Sequence, residues 1–356
     1  MVDDYSVDSI VQFLDAINNI NEEWRKDGSI VVYRGEPQKY DTPGKPGIFR
    51  GDYLDRDKFF EKNILLELKA NKLTNSSSYL EIAIDSQHGG FPSRLLDVSY
   101  NCLIALYFAC VSRPEYEKEQ KDCDGHVIVY KMDKAYCPTA KNALDNYTLL
   151  VENPDCYLND FMFSNNHKLV DHIKNNPRII AQQGALILFQ GLTYTPIPDR
   201  MIKSICINKS SKKRIAKDLD KCFGINTSFI YPEIEYAVER IKDRAFCLEG
   251  GETSLPNEID LCIKNEIKEV EYQINQISLL KKDDQQKRIV ELEKSINVLK
   301  SDLKRIINID DKSEANIDIV HVKNYYEDLV SKYVMLFKSK MNNDFDVSYT
   351  DLLWEK

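Results

Sequence analysis

The sequence predicts an α+β fold, a small mixed sheet with flanking helices, followed by a C-terminal helical hairpin and coiled-coil region. Three observations lead there. Short apolar, β-rich runs at 29–33, 125–132 and 185–189 alternate with helical patterns but keep no strict strand–helix–strand period. A run of helical heptads begins near Pro256. The change of pattern between them divides the chain into residues 1–250 and 251–356.

Residues 6–24 carry Ile10, Phe13, Leu14, Ile17 and Ile20 at helical spacing, with Ser6 as N-cap. The run 29–33 is a strand halted by Arg34-Gly35-Glu36-Pro37, and the Gly- and Pro-rich stretch 41–51 is loop. Residues 57–73 and 79–87 read as helices, broken by Gly89, Gly90 and Pro92. Residues 101–111 are apolar nearly all round and form a buried helix, with Cys102 and Cys110 in the core. A strand at 125–132, a strand at 185–189, a helix at 212–223 and a last short strand at 228–232 follow.

In the C-terminal part, Ile263, Ile267, Val270, Ile274 and Ile277 form one seam, and Ile289, Leu292, Ile296, Leu299, Leu303 and Ile306 another. Extending the first seam would bury Lys281, Asp284, Arg288 and Glu291, so the register breaks near 281–284, as a helical hairpin explains; the alternative is a continuous helix with a phase shift. A further helix over 324–340 presents Tyr325, Leu329, Tyr333 and Leu336. These helices contain no His and one Cys over 256–307, so association or regulation suits them better than catalysis.

A hydrophobic fraction of 43% and a charged fraction of 29% exclude global disorder. The longest apolar run, near 104–111, is far short of a membrane span. The start, Met1-Val2-Asp3-Asp4-Tyr5, matches no signal-peptide pattern, and none of nine cysteines forms a Cys-x-x-Cys pair. A cytoplasmic protein with reduced thiols and no membrane attachment is expected. The net charge of −9 argues against a bulk nucleic-acid binder. The exception is a basic stretch of Lys203, Lys209, Lys212, Lys213, Arg214, Lys217 and Lys221, which is either a solvated helix face or a phosphate-facing patch.

Three motifs can carry chemistry. Arg34 at a strand end beside Gly35 offers forked donors to phosphate, and the glycine admits a ligand to bare backbone; the alternative is a structural arginine paired with a loop carboxylate. His88 to Ser99 concentrates His88, Ser93, Arg94, Asp97 and Ser99 ahead of the buried helix; the alternative is an internal Arg94–Asp97 pair. Arg178 to Gly184 sets Gln183 at the start of a strand, where its amide can hold a hydroxyl or a carboxamide; the alternative is an edge-of-sheet glutamine satisfied by backbone. His167 and His172 lack a supporting carboxylate motif, so no metal site is expected, and no phosphate loop, dinucleotide fingerprint or nucleophile elbow is present.

In this order the motifs resemble the FRG domain family over about residues 30–242. Tyr33-Arg34-Gly35-Glu36 resembles its aromatic-Arg-Gly-Gln, and Ile48-Phe49-Arg50 its following Phe-Arg. His88 to Ser99 resembles His-Tyr-Gly-Leu-Pro-Thr-Arg-Leu-Leu-Asp-Trp-Thr, with Gly90, Ser93 and Val98 as departures. Residues 101–109 resemble Asn-Pro-Leu-x-Ala-Leu-Tyr-Phe-Ala, residues 178–184 Arg-x-x-x-Gln-x-Gly, and residues 231–235 Phe-Pro-Asp-Leu-Asp. The order of elements is similar to the ADP-ribosyltransferase plan, an analogy at the level of the fold. It implies NAD as substrate and a macromolecular acceptor, nucleic acid such as RNA ahead of protein, in a bacterial toxin or phage-defence effector. It also implies an antitoxin or regulatory protein at the C-terminal helices. Arg34, His88, Gln183 and Asp97 are then the catalytic candidates, and Arg34, Gly35, Ser93, Arg94 and Ser99 the NAD-binding ones, converging on one cleft. Gln183 stands where a glutamate is usual, and Gln183, Asp97 or Glu233 would stabilise the transition state. The rival reading is a non-catalytic nucleotide-sensing module that signals through the C-terminal helices. A ligand-facing Arg34 should matter little to the core, with Arg34→Ala costing within about 1 kcal/mol.

Overall fold

The structure, a computed structural model, describes residues 4–24, 28–111, 123–174, 177–248, 254–310, 318–341 and 349–354, and the chain divides into two units, Met1–Cys247 and Leu248–Lys356. The first unit is α+β. Its strands are β1 (Tyr5–Val7), β2 (Ile30–Glu36), β3 (Leu95–Ser99), β4 (Gly125–Met132), β5 (Ala135–Tyr136), β6 (Lys168–Asp171), β7 (Gly184–Leu188) and β8 (Ile202–Ile207). They make one eight-stranded sheet in the order β1-β8-β4-β2-β3-β7-β6-β5. The pairs β1–β8 and β5–β6 are parallel and the rest antiparallel.

Strand alternation sorts the core. Tyr33, Val127, Val129, Ile205 and Ile207 pack against the helices Ile10–Trp24, Cys102–Cys110 and Lys209–Phe223. Leu95, Leu186, Leu188 and Val170 pack against Phe60–Ala70, Tyr79–Ser86 and Lys141–Glu152. The intervening residues Val32, Leu96, Val98, Ile128 and Tyr130 meet Ile48, Phe49 and Leu54 from the loop region after β2. Arg34 and Glu36 follow Val32 in alternation, so they share this loop-covered side.

Several expectations change. Ser6 lies in β1, pairing with Cys206 of β8, and Ser9 accepts from Gln12 N–H at the start of the first helix instead. The expected strand at 228–232 is a short helix, Thr227–Ile230, whose Asn226 side chain caps it by accepting from Phe229 N–H. The sheet is larger than expected: β1, β3, β5, β6 and β8 add to the strands that the sequence predicts. β3 is only five residues long and sits inside a motif rich in polar groups, which mimics a loop. Cys102 and Cys110 are half-buried against the core, and burial pushes their thiols up to about 11 and about 12.

The second unit is helical. Leu255–Ile277 and Lys282–Asp310 are separate helices, with the break at the charged turn as the seams require. Ile263, Ile267, Val270, Ile274, Ile277, Ile289, Leu292, Ile296 and Leu303 are buried together. In the third helix, Ile319–Lys340, Leu329 and Tyr333 are buried as expected, whereas Tyr326 and Phe337 are buried in place of Tyr325 and Leu336, which are peripheral. Tyr326 donates to the Leu352 carbonyl at 2.9 Å and meets the Trp354 ring edge-on, which ties the C-terminal segment to the bundle. Among the described residues no helix is long and apolar enough to cross a membrane.

Candidate functional site

The three motif-bearing strands β2, β3 and β7 are neighbours in the sheet. Between β4 and β2 the ladder runs over seven residue pairs, whereas β2 and β3 pair only at Tyr33–Ser99. Beyond that pair the Arg34 guanidinium stands between the strands and takes the place of a ladder donor. Its Nη1 donates to the Asp97 carbonyl at 2.8 Å and its Nε to Glu36 Oε1 at 2.9 Å. Burial works against the charge, but Glu36, Tyr130 and Asp97 together hold the Arg34 pKa above its ordinary value. The Arg34 side chain keeps 20% of its surface exposed, and its hydrogen bonds among the described residues use Nε and Nη1.

Arg94 is not at this opening. Its side chain is 1% exposed, with Nε on Glu61 Oε2 at 2.6 Å and Nη1 donating to the carbonyls of Phe189 and Gly191. Glu61 also accepts from Tyr147 Oη at 2.8 Å. The partner of Arg94 is therefore a glutamate 33 residues upstream and not Asp97, and the group joins β3 to two helices and the turn after β7. The assignment of Arg94 to NAD binding gives way to this buried pair. Ser93 goes with it: it is buried, and its hydroxyl accepts from Leu95 N–H.

Gly35 has a different purpose from the one expected. A Cβ there would lie 1.8 Å from the Ala105 carbonyl oxygen, and one at Gly125 would lie 2.2 Å from that of Ala109. The two glycines let the Cys102–Cys110 helix lie directly on β2 and β4. The bare backbone of Gly35 meets a helix and not a ligand. This also accounts for the small residues at 105 and 109.

Ser99 is 5% exposed; its hydroxyl donates to the Gln182 carbonyl at 2.8 Å and accepts from Asn101 N–H. It thereby fixes the turn that carries Gln183. That residue is exposed, with φ of +46°, a left-handed conformation that glutamine rarely adopts. Tyr33, Ser99 and Gly184 form one row across β2, β3 and β7, and Arg34 and Gln183 flank that row. Strand spacing then sets their Cα atoms roughly 12 Å apart. Asp97 is exposed and its carboxylate accepts from Gln87 Nε2 at 3.4 Å; in strand alternation it stands with Leu95 on the helix-covered side, while Arg34 reaches only its backbone carbonyl from the loop-covered side. Glu233 stands 4.0 Å from Arg178, whose guanidinium lies over the Tyr231 ring. The side chain of His88 lies outside the described residues.

Two residues that matter here were not among the candidates. Glu36, 3% exposed, links Arg34 to the loop, since its Oε1 also accepts from Gly44 N–H at 3.1 Å. Arg50 lies on that loop, with Nε on the Lys45 carbonyl at 2.8 Å. Their positions in the Arg-Gly-Glu and Phe-Arg motifs were the available signal. The basic stretch is partly spent on structure. Lys212 is buried and donates to the carbonyls of Pro37 and Cys123, Arg214 donates to the Asp8 carbonyl, and Lys203 pairs with Asp4. Lys209, Lys213, Lys217 and Lys221 remain as an exposed stripe four residues apart. Among the described residues no three His, Cys, Asp or Glu side chains gather as a metal site would require.

No curated protein and no solved structure matches the chain. The family model of the FRG domain matches residues 29–118, which hold Arg34, Glu36, Arg50, Asp97 and the Cys102–Cys110 helix but not Gln183. The chain is thus similar to the FRG domain family over residues 29–118.

Proposed function

We propose that the first unit binds NAD at the opening between β2 and β3 and transfers ADP-ribose to a macromolecule. The observation that supports this reading best is Arg34: its base is locked by Glu36 and the Asp97 carbonyl, while its side chain stays partly exposed with Nη2 unspent. Arg34 would hold a phosphate of NAD. Gln183, in its constrained turn, would orient a ribose hydroxyl. Asp97, an exposed carboxylate on the neighbouring strand, would stabilise the cation that develops at the anomeric carbon as the bond to nicotinamide breaks. The bonding electrons leave with nicotinamide. An acceptor oxygen or nitrogen attacks the same carbon and releases its proton.

The stripe of Lys209, Lys213, Lys217 and Lys221 favours nucleic acid as acceptor, because phosphate contacts need clustered cations on one face. The role would be that of a bacterial toxin or phage-defence effector. Association or control by a regulatory partner would fall to the helices of the second unit. One observation favours a second reading, a nucleotide sensor without turnover: the residue at the constrained turn is a neutral glutamine, a weaker stabiliser of cationic character than a glutamate.

Incubating the full chain with labelled NAD and separate RNA, DNA and protein pools decides between the two. The proposal expects free nicotinamide and label on one pool. Binding of NAD with no nicotinamide released makes the chain a sensor and overturns the transferase reading.

A further inference from the structure

We propose that Arg50 and Lys45, on the loop after β2, complete with Arg34 a site for a diphosphate, so that the cleft selects nucleoside diphosphates and dinucleotides over mononucleotides. This rests on the reading of the Arg34 opening as a nucleotide site, and not on any turnover there.

The donor inventory carries the argument. Arg34 spends Nε on Glu36 and Nη1 on the Asp97 carbonyl and keeps Nη2. Glu36 Oε1, which holds Arg34, also holds Gly44 N–H, so the loop is pinned to the same oxygen. The next residue, Lys45, sets its ammonium 5.2 Å above the Tyr194 ring, and its carbonyl accepts from Arg50 Nε. Arg50 is exposed and has no ion pair among the described residues, so its outer edge, Nη1 and Nη2, is unspent. Two guanidinium edges therefore stand on two supports, a strand and a loop, fastened by one carboxylate. Each edge matches the oxygens of one phosphate, and two edges match two.

Charge points the same way. Glu36 is taken up by Arg34, and Arg34, Arg50 and Lys45 gather three cations on β2 and the loop pinned to it. Burial first, and then the like charge of Arg34, hold the Arg50 pKa below its ordinary value. A bound anion would relieve that repulsion.

Calorimetric titration of the full chain with ADP, AMP and adenosine tests this, using wild type, Arg50→Ala and Arg50→Lys. ADP is expected to bind wild type at least about tenfold more tightly than AMP, each charge-assisted contact contributing on that order. Arg50→Ala should weaken ADP about tenfold or more and AMP by less than about threefold. Arg50→Lys should recover only part, since it restores charge without the fork. Because Arg50 is exposed, its variants should melt with wild type. Equal affinities for ADP and AMP, or an ADP affinity indifferent to Arg50→Ala, would overturn the inference. Arg50-dependent ADP binding with no nicotinamide release from NAD leaves this site standing and removes the transferase reading. Nicotinamide release with ADP affinity unaffected by Arg50→Ala does the reverse.

Discussion

Two arginines of the same domain meet opposite environments. Arg94, at the start of β3, is enclosed by Glu61, Tyr147 and two carbonyls and has no surface left. Arg34, near the end of β2, has a carboxylate and a carbonyl beneath it and an open edge above. Both are charge-paired, so pairing alone does not separate structure from function. Exposure does: the Arg94 side chain is 1% exposed and that of Arg34 20%. An enclosed guanidinium fixes elements to one another, whereas one held at its base and open to solvent is already oriented for an anion.

The largest effect should come from Arg94→Ala. It strands the Glu61 carboxylate, 3% exposed, with Tyr147 as its remaining side-chain partner, and removing one member of a buried pair costs about 3–5 kcal/mol. A denaturant melt of the variant checks this, and a loss under about 1 kcal/mol would dissolve the contrast between the two arginines.

Acid should strike the same closed region next. His167 lies against the Phe189 ring, accepts from Gln190 N–H at Nδ1 and faces the Thr195 carbonyl with Nε2, which requires a neutral ring. Burial, and then the charge of Lys168, hold its pKa at about 4, below the usual 6.5. The unfolded chain takes up this proton first. The contribution is therefore intact above about pH 6.5, shrinks as pH falls to about 4, and changes no further below, with a span of at most about 3 kcal/mol. Melting temperature across that window, with His167→Gln as control, should show a slope that the control lacks.

Arg34→Ala should cost less than Arg94→Ala but more than a purely ligand-facing arginine would. Glu36 is buried and loses its cation, though Gly44 N–H still serves it, for about 1–3 kcal/mol. The sequence alone gave a limit of about 1 kcal/mol, because it did not reveal that Glu36 folds back beneath Arg34. The smallest effect is expected at the turn. Gln183→Gly relieves the left-handed backbone and should leave stability unchanged or raise it by about 1 kcal/mol, while NAD turnover falls. A gain in melting temperature without a loss of turnover would mean the strain serves nothing at the site.

What could be read from the sequence followed from periodicity. The heptad seams, the charged break after Ile277 and the apolar Cys102–Cys110 helix depend on local spacing and appear where spacing predicts. Partnerships were harder to read. Glu61 and Arg94 lie 33 residues apart, and nothing local marks Glu61 as buried rather than as another helix-surface acid. Gly35 was correctly picked as a place where backbone is approached closely, but only the packed helix shows what approaches it. β8 contains Lys203, the first residue of the basic stretch, and the lysines hid its alternation of Ile205 and Ile207 with smaller residues.

The central claim, that Arg34 binds a ligand and Arg94 does not, is tested most directly by melting wild type and Arg34→Ala with and without NAD. Ligand at a hundredfold its dissociation constant should stabilise wild type by about 2.7 kcal/mol. Arg34→Ala, folded but starting from a lower melting point, should gain almost nothing. An undiminished NAD-induced gain in Arg34→Ala would contradict the account and move the site elsewhere.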